Sequence, residues 1–155
     1  MTLYLAYGMN TNIDQMAGRC PSSVSIGRVD IPDHRLVFRG CADIEVSVGD
    51  TLQTVMWDIT SKCEKALDIL EGYPNFYSKK YIDVHFGRKT YEAMIYYMVG
   101  DRLDYSSPDP FYQKMLEDGY QDHGLDIDQI YNAQGFDNYQ DSLDWINRRY
   151  ERYTY

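Results

Sequence analysis

Hydrophobic and polar positions fall in short blocks along this chain, and the period of each block sets the element it predicts. Leu3–Tyr7 is an apolar and aromatic run suited to a pleated, half-buried surface, so it reads as a strand. Gly8 and Asn10 break it, with Met9 between them, and a helix-like phase begins near Ile13. Two short strand candidates follow, Val24–Val29 and Arg35–Arg39, separated by the turn signal Pro32-Asp33. The stretch "CADIEVSVGDTLQTVMWDIT" alternates as two strands joined at Gly49-Asp50. Thr60 or Ser61 then caps a helix, with Glu64 near the capping-box position and Ala66, Leu67, Ile69 and Leu70 as its buried stripe. Gly72 and Pro74 stop it. "KKYIDVHF" and "TYEAMIYYMV" form a further strand pair around Gly87-Arg88, and helices are expected near 109–121, 127–133 and from about Asn138.

This order predicts an α+β fold. Hairpins that bury one face favour a small, mostly antiparallel curled sheet or barrel, here of six to seven strands with a few flanking helices. No repeat or linker divides the chain, so residues 1–155 read as one domain, with residues 136–155 as an accessory helical C-terminal tail.

Composition narrows the partners. The formal net charge of -9 argues against nucleic acid, whose phosphates demand a basic face, and against anionic membrane surfaces. No apolar run is long enough to span a bilayer, and no signal peptide precedes Arg19 and Cys20. Cys20, Cys41 and Cys63 are sparse, odd in number and lack C-x-x-C spacing, so they read as reduced thiols in a cytoplasmic protein; a cysteine nucleophile stays open. The sixteen tyrosines are the unusual feature, since each pairs an apolar body with a polar tip and can line a dry pocket that still offers hydroxyls. The terminal "NRRYERYTY" places several of them on a surface tail instead.

Signatures such as G-x-G-x-x-G, the P-loop, G-x-S-x-G and H-E-x-x-H are absent, and His34, His85 and His123 are scattered. One carboxylate stands apart. Glu71 follows the apolar "ALDIL" directly and precedes Gly72, at the last turn of an amphipathic helix and beside Tyr73, Phe76 and Tyr77. Desolvation and the negative helix terminus would both raise its pKa toward the range useful for acid–base work. The alternative is a helix-end glutamate facing water.

In order and content, "YLAYGMN", "GCADIEVSVGDTLQTVMWDIT", "LDILEGYPNFYSKKYIDV" and "PDPFYQKMLEDGYQDHGLD" resemble the γ-glutamylcyclotransferase-like family, which includes the AIG2-like proteins and the γ-glutamylamine cyclotransferases. The resemblance covers about Leu3 to Asn132. Met9 departs from the serine common in the family's Tyr-Gly-Ser-Asn loop, which costs one hydroxyl.

The resemblance implies that Tyr4, Leu5, Ala6, Tyr7, Gly8, Met9 and Asn10 form a substrate-binding loop. It makes Glu71 the acid–base residue and Tyr96 and Tyr112 hydroxyl donors to the substrate. A tight turn there directs successive N–H groups to one point, where they hold an α-carboxylate or a developing oxyanion, and Gly8 allows close approach and a positive φ. The implied reaction is cyclotransfer: the α-amine of a γ-glutamyl amide attacks its own γ-carbonyl, giving 5-oxoproline and a free amine, with no cofactor and no metal. The expected partner is a small γ-glutamyl molecule, and the protein a monomer or homodimer. The alternatives are a non-catalytic binder on the same fold and a water-using amidase.

Overall fold

The apolar run at the start of the chain forms β1 (Thr2–Ala6), whose last three residues are all buried. Continuous burial without alternation marks a strand covered on both faces. In the computed structural model, which describes residues 2–100 and 104–151 (for 150 and 151 the backbone only), β1 is the central strand of a five-stranded sheet. The others are β2 (Val24–Arg39), β3 (Cys41–Ile59), β4 (Tyr77–Phe86) and β5 (Lys89–Met98), in the order β2-β3-β1-β5-β4. β1 pairs antiparallel with β3 and parallel with β5, while β2–β3 and β4–β5 are antiparallel hairpins. The result is an α+β fold with a mixed, curled but unclosed sheet. Curling brings the edge strands together: Lys80 Nζ on β4 donates to His34 Nε2 on β2 at 3.2 Å.

The six to seven expected strands reduce to five because both turn signals lie opposite each other inside one long hairpin. Pro32 faces Thr51 and His34 faces Val46, so Asp33 and residues 47–50 form a shared irregularity in the ladder. Asp33 adopts φ 59° and its Oδ1 accepts from the Gly49 N–H at 2.9 Å, which ties the kink together. An edge strand tolerates Pro32 because one side of its ladder is open. The chain reverses instead at Gly40, φ 79°, between the paired Arg39 and Cys41.

Helices α1 (Ile13–Arg19), α2 (Ser61–Leu70), α3 (Pro110–Asp122), α4 (Asp128–Asn132) and α5 (Tyr139–Glu151) complete the fold. Thr60 caps α2, its Oγ1 accepting from the Cys63 N–H at 3.1 Å. Glu64 does not serve as its capping-box partner; that carboxylate accepts from Lys79 Nζ at 2.9 Å. The expected stripe on α2 is also wrong. Ala66, Ile69 and Leu70 are exposed, and only Cys63 and Leu67 are buried. That inward line has a spacing of four residues, and its next member is Glu71.

Cys20 and Cys63 form a disulfide, with Cα atoms 5.2 Å apart, leaving Cys41 as the one free cysteine. The reading of three reduced thiols is thereby overturned, and with it the thiol count as a ground for a cytoplasmic setting. The bridge joins the end of α1 to the first turn of α2 across 43 residues of sequence, a pairing that no local spacing announces. Among the described residues no helix is long and apolar enough to cross a membrane. At the tail, Phe136 and Trp145 stack edge-on at 6.0 Å and Ser142 is buried. Tyr153 and Tyr155 of the expected surface tail lie outside the described residues.

Candidate functional site

Where β1 ends, Tyr7 and Gly8 lead into a single 3₁₀ turn, Met9–Thr11, capped so that α1 can begin at Ile13. Thr11 N–H donates to Gly8 O at 3.0 Å and Asn12 N–H to Met9 O at 3.1 Å. The N–H groups of Gly8, Met9 and Asn10, ahead of those bonds, have no acceptor among the described residues. Such orphan donors are what the start of a helical turn presents to an anion.

The turn is held from every side. Trp57 Nε1 donates to Asn10 O at 3.0 Å, and Thr11 Oγ1 to Gly8 O at 2.7 Å. Asn12 Nδ2 reaches Met115 O on α3 at 3.1 Å. α3 can approach because Gly119 has no side chain: a Cβ there would lie 2.4 Å from Thr11 Oγ1. Gly8 is needed for space as well. Its φ is -118°, not the positive value expected, but a Cβ would sit 2.9 Å from Ala42 Cβ and 3.2 Å from Tyr112 Oη.

The turn opens onto a cavity of about 300 Å³. Of the residues named from the sequence, Tyr4, Tyr7, Gly8, Met9, Asn10, Glu71, Tyr96 and Tyr112 line it together. Leu5 and Ala6 do not; both are buried in the sheet core.

Glu71 enters at the end of α2, fixed by its own backbone: its N–H donates to Leu67 O at 2.8 Å and its carbonyl accepts from Tyr77 N–H at 3.1 Å. The side chain is half-buried, and no hydrogen bond or ion pair engages its carboxylate among the described residues. Burial pushes its pKa up to about 6, opposed by the positive charge of Arg19. Desolvation is the cause, because Glu71 continues the buried Cys63–Leu67 line into the cavity wall. Asp68, three residues earlier, is no rival. It is held by Lys79 Nζ at 2.9 Å and by the Tyr96 hydroxyl at 2.6 Å.

The tyrosines divide by where their hydroxyl protons go. Tyr96 gives its proton to Asp68, so it has none left for a substrate, contrary to the expected role. Tyr7 donates to Tyr96 O at 2.8 Å and Tyr77 to Ala42 O at 2.7 Å. Tyr112 differs: its oxygen accepts from Ala42 N–H at 2.9 Å, leaving its proton free. Tyr4 accepts from Asn10 Nδ2 at 3.0 Å and likewise keeps its proton. Burial raises the pKa of both well beyond the ordinary phenol range, so both stay neutral donors.

Sequence reasoning missed Arg19, Cys41, Ala42, Leu70 and the lining roles of Phe76 and Tyr77. Arg19 donates through NH1 to Asn10 Oδ1 at 2.6 Å. The spacing from Asn10 to an arginine at the end of the next helix was the available signal. No group of three or more His, Cys, Asp or Glu side chains among the described residues is arranged to hold a metal. The site therefore offers a half-buried base, two neutral hydroxyl donors, a set of free N–H groups and one cation.

Comparison with known proteins bears on this arrangement. Residues 4–115 match the family described as "Gamma-glutamyl cyclotransferase, AIG2-like". Among solved structures, the chain is similar to one titled "Gamma-glutamyl cyclotransferase", at 23% identity over 86% of both chains with a TM-score of 0.75. An uncharacterized protein from Homo sapiens aligns at 24% identity over 86% of both chains, TM-score 0.76. YkqA from Bacillus subtilis aligns at 21% identity over 86% of this chain and 52% of its own, TM-score 0.69. At these identities the structures attest to a shared fold. A search of curated protein sequences gives no match.

Proposed function

The chain belongs to the AIG2-like gamma-glutamyl cyclotransferase family, and from that membership and the cavity around Glu71 we propose that it converts a γ-glutamyl amide to 5-oxoproline and a free amine. The observation that carries this reading is Glu71: a carboxylate with no hydrogen-bond or ion-pair partner among the described residues and a pKa raised to about 6, facing a cavity beside free N–H groups. Near neutral pH it is ionised yet poorly solvated, the condition in which a carboxylate acts as a base.

In the proposed reaction Glu71 takes a proton from the substrate's α-ammonium. The freed amine attacks the γ-carbonyl carbon, a new C–N bond closes the five-membered ring, and the negative charge passes to the carbonyl oxygen. Free N–H groups of Gly8, Met9 and Asn10 are suited to hold that oxygen. The tetrahedral species then collapses: Glu71 returns its proton to the leaving nitrogen as that C–N bond breaks. The carboxylate so freed takes the surplus proton from the ring nitrogen and passes it to the departing amine, which leaves as an ammonium. Atoms and charge balance without a protein nucleophile, metal or redox group. Much of the acceleration would come from holding the glutamyl chain folded, where intramolecular geometry contributes about 7–11 kcal/mol in favourable cases.

Incubating the protein with a panel of γ-glutamyl amides and measuring 5-oxoproline tests the proposal. Formation of 5-oxoproline from at least one member supports it. Binding without turnover across the panel favours a binding protein, and release of free glutamate favours an amidase.

A further inference from the structure

Two opposite charges line the cavity and do not pair with each other. Among the described lining residues Arg19 is the sole cationic side chain and Glu71 the sole carboxylate. They are not in ion-pair contact, although the charge of Arg19 is felt at Glu71. Arg19 uses one of its five N–H donors on Asn10 Oδ1, and the rest of its guanidinium has no protein partner among the described residues. A guanidinium presents donors in a planar fork that fits a carboxylate, so its unused donors are a ready site for one.

We propose that Arg19 is the receptor for the substrate's α-carboxylate, so that Arg19 and Glu71 together recognise the zwitterionic head of an α-amino acid. The α-ammonium lies toward Glu71, and the carboxylate on the same carbon lies toward Arg19. This assignment rests on the proposed function for the identity of the reacting amine and goes beyond it in fixing the carboxylate. It also divides the anion-binding work. A formal cation meets the charge that the substrate carries throughout, and the loop N–H groups are left for the oxyanion that develops only during reaction. Asn10 couples the two, because its backbone belongs to the loop and its side-chain oxygen holds Arg19 in place. Compounds lacking the carboxylate at the α-carbon are therefore weaker ligands.

The test compares a γ-glutamyl anilide with the same compound carrying an α-carboxamide, on the wild-type protein and on Arg19→Gln and Arg19→Lys. Wild type is expected to prefer the carboxylate by about 10- to 100-fold in kcat/KM, chiefly through KM, the scale of a charge-assisted hydrogen bond. Arg19→Gln should bring that preference to within about threefold, and Arg19→Lys should restore part of it. Removing the cation also lifts its downward pull on Glu71, so the acid limb of the Arg19→Gln pH profile should move to higher pH. An unchanged carboxylate preference in Arg19→Gln overturns the assignment.

Calorimetric binding of 5-oxoproline and 5-oxoprolinamide provides an arm that needs no turnover and, on wild type alone, no variant. Selective binding of the acid, lost in Arg19→Gln, supports the role of Arg19 even if no γ-glutamyl amide is cleaved. Equal binding of acid and amide by wild type, or binding of neither, overturns it even if cleavage is observed.

Discussion

Replacing Glu71 with glutamine removes a charge with little change of shape, and two consequences of opposite sign follow. Burial raises the carboxyl pKa from 4.5 to about 6 in the folded protein, so folding favours the protonated form. The stability that this group contributes is fully present below pH 4.5 and is lost as pH rises through 6. A shift of about 1.5 units corresponds to about 2 kcal/mol at 1.36 kcal/mol per unit, an upper figure because the side chain is only half-buried. Glutamine carries no such penalty. The Glu71→Gln variant should therefore be more stable than wild type by up to about 2 kcal/mol at pH 7.5, with the gain shrinking to near zero at pH 4. Activity should fall by about 10²–10⁴-fold, the usual cost of a lost acid–base group. Urea unfolding at both pH values, paired with initial rates, reads the two effects separately. A variant that is less stable at pH 7.5 than wild type would refute the desolvation argument. Unchanged kcat would refute the assignment of Glu71 as the base.

Four further outcomes are expected. Gly8→Ala should lower kcat/KM at least tenfold, because the added Cβ meets Ala42 and Tyr112; normal kinetics in a normally melting variant would show that the turn has room to spare. Tyr112→Phe removes a free hydroxyl donor and the acceptor of Ala42 N–H, so KM should rise by the equivalent of about 0.5–1.5 kcal/mol; a change in melting alone would assign Tyr112 to packing. Tyr96→Phe should instead lower stability with KM little changed, since its proton is committed to Asp68, and a KM effect matching that of Tyr112→Phe would contradict this. Opening the Cys20–Cys63 bridge with reductant, or by Cys63→Ser, should cost about 2–4 kcal/mol in urea unfolding, because it frees a loop of 43 residues; identical oxidised and reduced curves would refute that.

The parts of the fold that were legible in sequence were those fixed by local period. The strand pair around Gly87-Arg88, the Thr60 cap and the glycine that ends α2 all depend on neighbouring residues, and the structure has them where the pattern put them. The β2–β3 hairpin was misread for a physical reason: Pro32-Asp33 and Gly49-Asp50 are turn-forming pairs, but opposite each other in a ladder they make one kink. Tertiary pairing decides between those outcomes. The same limit hid Arg19, whose role depends on α1 folding back so that its guanidinium reaches Asn10. Glu71 was legible because its surroundings are sequential, the apolar line of α2 before it and the aromatic turn after it. Burial is the leading cause of its raised pKa, as that apolar line implies. Tyr96 lies at the cavity, but its hydroxyl answers to Asp68, a partner 28 residues away.

The central claim is that the substrate's own α-amine is the nucleophile, and a single product analysis addresses it. A γ-glutamyl amide and its Nα-acetyl derivative are incubated with the protein, binding of both is verified by competition, and products are identified by NMR. The account predicts 5-oxoproline from the free amine and no cleavage of the acetylated compound, because an amide nitrogen is not basic enough to attack. Release of acetylglutamate from the blocked compound, or free glutamate as the first product of the unblocked one, would contradict it.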